Sequence, residues 1–99
     1  MQNKVKKFVV GVCASDTAGI KMMLFEGSEY ALKKFMVECV SGGVDEEHQG
    51  THKPNDVEFH EYSKTFDAYS VFEDYHIECS AVALDDLYCV PGSFDPTSH

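Results

Sequence analysis

The sequence predicts an α+β domain: an antiparallel sheet of three to five strands with one amphipathic helix packed on one face, in the order β-β-α-loop-β-β. Three observations predict it. Two β-branched and aromatic runs lie close together near the N-terminus, with turn formers between them. One stretch carries apolar residues at helical spacing and ends in two glycines. A late stretch alternates apolar with polar residues. Ninety-nine residues is the size of one small domain, and a hydrophobic share of 43% is enough for one modest core. The expected domain is 1–89, with 90–99 as a flexible tail.

Residues 7–14 (KFVVGVCA) are apolar on both faces, which suits a central strand. The preceding lysines imitate a secretory leader, but the apolar run is short and Asp16 follows at once. The stretch is therefore expected to be a first strand of a cytoplasmic protein. No apolar run approaches the ~20 residues that cross a bilayer. "SDTAG", 15–19, holds turn formers, and "IKMMLFE", 20–26, reads as the returning strand of a hairpin.

"GSEYALKKFMVECVSGG", 27–43, is the clearest element. Leu32, Phe35, Met36, Cys39 and Val40 share one helical face. Ser28 is placed to cap the first turn, and Glu29 suits the positive helix end. Gly42 and Gly43 are expected to stop the helix. Residues 44–56 are polar and aperiodic and read as a mobile acidic loop.

"VEFHEY", 57–62, alternates like a short strand. In 62–72, Tyr62, Phe66, Tyr69 and Phe72 are spaced by 4, 3 and 3, as on a helix, while strand propensity points the other way. Both readings stand for that segment. In 75–84, Tyr75, Ile77, Cys79 and Ala81 point one way and His76, Glu78 and Ser80 the other, as in a strand with one wet face. With a single helix, the second sheet face must be solvated or buried on a partner.

The net charge of −9 is uneven. Residues 1–34 carry a small positive excess, whereas Lys53 and Lys64 are the only lysines after Lys34. Arginine, the usual bidentate ligand of phosphate and guanine, is absent. An acidic surface also repels a polyanion, so direct nucleic-acid binding is excluded as an expectation. A protein with a basic surface is the natural partner.

Cys13, Cys39, Cys79 and Cys89 form no CxxC pair, which excludes a zinc knuckle, and the first three lie in apolar patterns that suit buried thiols. Asp45, Glu47, Gln49 and Asp56 match oxygen-ligand offsets of a calcium loop. His52, Lys53 and the short Asp56 carboxylate misfit that template, so a solvated loop is expected and an ion site is the alternative. His48 and His52 would share a helical face, but Gly50 and Pro54 oppose a helix there. No metal and no cofactor is expected.

No nucleophile elbow, phosphate loop or dinucleotide fingerprint occurs. Ser15, Asp16 and His76 would need tertiary coincidence to form a triad. Paired carboxylates such as Glu73/Asp74 and Asp85/Asp86 are neighbours in sequence, which suits general acid–base work poorly. The chain reads as a non-enzyme. A phosphate-bearing ligand at the helix N-terminus, near Ser28 and Lys21, is a generic alternative.

The acid-aromatic band 56–88 is the candidate site. Glu73, Asp74, Glu78, Asp85 and Asp86 read as steering charges, with Tyr69, Tyr75 and Tyr88 as anchors for a protein partner. The bland counterpart is an acidic face that only aids solubility. A homodimer through the open sheet face is a third expectation.

The order strand, "SDTAG", strand ending "LFEGS", helix "EYALKKFMVECV" and a late strand closing on "LDD" resembles small acidic accessory proteins encoded by bacteriophages, of the host-takeover or anti-defence type. The resemblance covers 8–41 and 75–86, in length, order and charge. It implies a stoichiometric inhibitor acting in the host cytoplasm, occluding a nuclease, polymerase or defence complex.

Overall fold

The computed structural model describes residues 4–16, 18–41 and 54–92. The elements are β1 (Lys6–Ala14), β2 (Lys21–Gly27), α1 (Glu29–Val40), β3 (Asp56–Glu61), β4 (Thr65–Val71) and β5 (His76–Ala83), followed by a 3-10 turn, Leu84–Asp86. The strands form one sheet in the order β2-β1-β5-β4-β3, antiparallel throughout. The chain is α+β, with one helix among the described residues.

β1 and β2 form the expected hairpin, with Phe8 opposite Phe25 and Val10 opposite Met23. Its turn places Gly19 at φ 90°, where a side chain would be strained. β1 is an inner strand, as its apolar run predicts, because β5 pairs with its other edge.

Ser28 caps α1: its hydroxyl accepts the Ala31 N–H at 3.1 Å. At the other end the Ser41 hydroxyl donates to the Val37 carbonyl at 2.7 Å. Gly42 and Gly43 lie outside the described residues. The expected apolar stripe faces the sheet: Leu32, Met36, Cys39 and Val40 are buried, and Phe35 packs beside them. Phe35 stacks on Phe25 of β2 at 4.8 Å. The Ser70 hydroxyl of β4 donates to the Val40 carbonyl, tying the last helical turn to the sheet. Lys33 lies over the Phe59 ring of β3 at 5.2 Å.

The core lies between α1 and the facing side of the sheet. Phe8 and Val10 of β1, Ile77 and Cys79 of β5, and Phe66 and Ala68 of β4 point into it. Phe8 meets Phe66 edge-on at 6.1 Å. Burying each such large side chain stabilises the fold by roughly 1.5–3 kcal/mol.

The structure corrects the expected order in one respect: three strands, not two, follow the helix. Residues 62–72 are not helical. β3 and β4 form a hairpin in which Phe59 faces Ala68 and Glu61 faces Phe66. The aromatic spacing imitates a helix because the inward positions between the rings are small. Phe66, Ala68, Ser70 and Phe72 alternate inward, while Tyr69 lies on the opposite side.

Candidate functional site

In a strand successive side chains point to opposite faces, so the inward set defines a second, outward set. The register aligns that set in rows across the sheet. One row runs His60, Asp67, Ser80, Gly11, Met22, and the next runs Glu58, Tyr69, Glu78, Cys13. A third joins Thr65, Val82, Val9 and Leu24. None of these side chains is buried, and among the described residues no second layer covers them.

This open face has two banks. On the β2 side Ile20, Met22 and Leu24 are 65%, 60% and 64% exposed. On the β3–β4–β5 side stand Glu58, Asp67 and Glu78. Between the banks Gly11, with no side chain, lowers the floor. The result is a trough of about 500 Å³ that also touches Val9, Val82 and Leu87. The apolar character of β1 on both faces is thus real, yet only one face is covered.

The acidic bank is held locally. The Ser80 hydroxyl donates to Asp67 Oδ1 at 2.8 Å. His60 Nε2 lies 3.0 Å from Glu58 Oε1, and His76 Nε2 lies 3.6 Å from Glu78 Oε2. The Tyr69 ring leans on His76 at 5.5 Å. Glu58, Asp67, Tyr69 and Glu78 border a smaller hollow of about 270 Å³, more polar than the trough.

The other expected site residues are dispersed. Glu73 and Asp74 lie in the β4–β5 turn, and Asp85 and Asp86 lie beyond the far end of β5. The intervening strand alone spans roughly 23 Å. Asp85 shares a hollow with Lys4, Lys6 and Lys7, so the cations missing from the band in sequence reach it in space. Tyr88 follows the 3-10 turn at 84% exposure. Tyr75 is half-buried, stacked on Phe72 at 4.5 Å, and packs against the core instead of standing on the open face.

The Ser15 hydroxyl accepts the His76 backbone N–H at 3.0 Å, so the two residues do meet, but through the main chain and not as a catalytic pair. Lys21 stands at the opposite end of β2 from Ser28, which removes it from the helix N-terminus. Lys6 is there instead, with Nζ 3.9 Å from Glu29. Of the calcium template, Asp56 opens β3, while Asp45, Glu47, Gln49, His48 and His52 lie outside the described residues. Among the described residues no three metal-ligating side chains converge. Nor is any helix long and apolar enough to cross a membrane.

Cys39 and Cys79 are buried together between helix and sheet, Cys89 is exposed, and Cys13 is only half-buried because it faces the open side. The hydrogen bond with Cys39, together with burial, pushes the Cys79 thiol well above its ordinary range.

Sequence reasoning placed Glu58, Glu61 and Asp67 among the surface carboxylates of the acid-aromatic band without singling them out, and it missed Met22 and Leu24 as site residues. The alternation of β2 carries Met22 and Leu24 to one side, but only the register shows that Asp67 lies across the trough from them. No protein-family model, curated protein or solved structure matches this chain.

Proposed function

We infer that this protein is a non-enzymatic docking domain that occludes or modulates the basic surface of a protein partner, in the manner of a stoichiometric inhibitor. The observation that carries the reading is the uncovered second face of β1. It is as apolar as a core strand requires, yet it stands beside Glu58, Asp67 and Glu78 with no layer over it among the described residues. Apolar area supplies short-range binding energy, and the carboxylates supply long-range attraction and orientation. An excess of acids without arginine disfavours nucleic acid as the direct ligand. The likeness in length, order and charge to phage-encoded accessory proteins favours an inhibitory role, by analogy.

The test is affinity capture with the wild-type chain as bait and Asp67→Asn/Glu78→Gln as control. A protein retained by the first and lost from the second is then followed by association kinetics. The on-rate should fall at least about tenfold between low and high salt. An on-rate indifferent to salt contradicts the reading.

A further inference from the structure

We propose that the element this face receives is an amphipathic α-helix with an apolar stripe and lysines or arginines along one flank. The inference rests on the docking reading and specifies the partner's chemistry and shape.

Three arguments lead to it. The first is width. Met22 and Asp67 are three strands apart in one row, about 14 Å at ordinary strand spacing. That is a backbone-to-backbone span, and a helix with its side chains, about 10–12 Å across, is seated in it once the Met22 side chain swings off Gly11. Gly11 supplies the low floor beneath it. Met22 is the flexible wall, with its Sδ 3.1 Å from where a Cβ on Gly11 would stand.

The second is backbone satisfaction. The trough lies over β1 and β5, whose main-chain groups already pair on both sides within the sheet. A segment laid across them must satisfy its own N–H and C=O groups as it loses water. A helix does so internally, whereas a lone extended segment does not. The same sheet already takes α1 in this way on its other face.

The third is charge. Asp67 and Glu78 line the trough on the side away from Met22, so a bound helix is expected to carry its cations on that flank only. A second copy of this chain fits poorly. Each copy carries a net charge of −9, and stacking two open faces would bring like-charged carboxylates together. The apolar stripe of α1, the one helix among the described residues, is already buried.

The test uses three synthetic peptides of one leucine–lysine composition, each about 14 residues, or ~21 Å if helical. One has its leucines at helical period, one alternates them as a strand, and one is shuffled without period. Each is titrated against the full chain, with amide chemical shifts and peptide circular dichroism as readouts. The helical-period peptide should bind at least tenfold more tightly than the others, gain helicity and shift the amides of Gly11, Met22, Asp67 and Ser80. Met22→Asp and Asp67→Asn/Glu78→Gln should each weaken it at least fivefold, with thermal melts checking that both variants fold. Equal binding of all three peptides, or tighter binding of the alternating one with shifts confined to β2, overturns the helix and leaves the docking reading intact. Binding by none of them at low salt removes both. Concentration-dependent dimerisation that buries these amides without peptide overturns the helix in favour of a second copy.

Discussion

Met22 and Asp67 face the same side of the sheet in one cross-strand row, with only Gly11 and Ser80 between them. An exposed thioether and a carboxylate therefore border one trough whose floor is a glycine. Neither residue is needed for the core, so the face can be altered without unfolding the chain.

Gly11→Ala tests the floor. The new methyl would meet the flexible tip of Met22, which can swing away, so stability should change by less than about 0.5 kcal/mol. The trough becomes shallower, and affinity for a basic amphipathic helix should weaken at least about threefold. Isothermal titration beside a thermal melt checks both. Unchanged affinity would remove Gly11 from the site.

Ser70→Ala tests the tie between helix and sheet. Ser70 is fully buried and its hydroxyl satisfies the Val40 carbonyl at the helix end, where no intrahelical donor is available. Leaving that carbonyl unpaired should cost about 1–3 kcal/mol. For a domain of this size the melting temperature should drop by roughly 4–8 °C for each kcal/mol. A loss below about 0.3 kcal/mol would show the bond to be dispensable.

Phe8→Ala and Leu24→Ala separate the two faces. Phe8 is 1% exposed, so its truncation should cost about 3–5 kcal/mol, a large share of a small domain's stability. Leu24, on the open face, should cost under about 1 kcal/mol. Urea melts of the two variants decide it, and similar losses would mean that the open face is covered in solution.

Cys79 sets a pH dependence. Its thiol is raised above the ordinary value of 9.0, first by the hydrogen bond with Cys39 and then by burial, while that same bond lowers the Cys39 thiol, whose own contribution has the opposite sign and lies below pH 9. A group raised in the folded state keeps its full contribution below the unfolded pKa. Above about pH 9 the unfolded chain gives up that proton and the folded one does not, so stability falls as pH rises. The slope contributed should be at most about 1.4 kcal/mol per pH unit and should flatten in Cys79→Ala. Chemical denaturation from pH 7.5 to 10.5 reads it. A thiol-reactive probe at pH 8 should label Cys89 rapidly and spare Cys39 and Cys79 until denaturant is added.

Much of the scaffold was legible in the residues. The stripe Leu32, Met36, Cys39, Val40 has one periodic solution, and it is buried as that solution requires. The inward alternation of Ile77, Cys79 and Ala81 was equally plain. Residues 62–72 were not, because Ala68 and Ser70 are small inward residues and leave only the rings to suggest a period. The site was harder still. Asp67 and Met22 are 45 positions apart and meet only through pairings that local sequence does not carry. Asp85 looked unopposed until β5 carried it beside Lys4, Lys6 and Lys7.

The location of the steering charges is the centre of the account. Asp67→Asn/Glu78→Gln and Glu73→Gln/Asp74→Asn remove the same two charges from different places. Association rates of a basic amphipathic helix should be measured for both at low salt. The account predicts at least about a fivefold larger loss for the first variant, whose charges border the trough. An equal loss, or a larger one for the turn variant, would place the docking surface elsewhere.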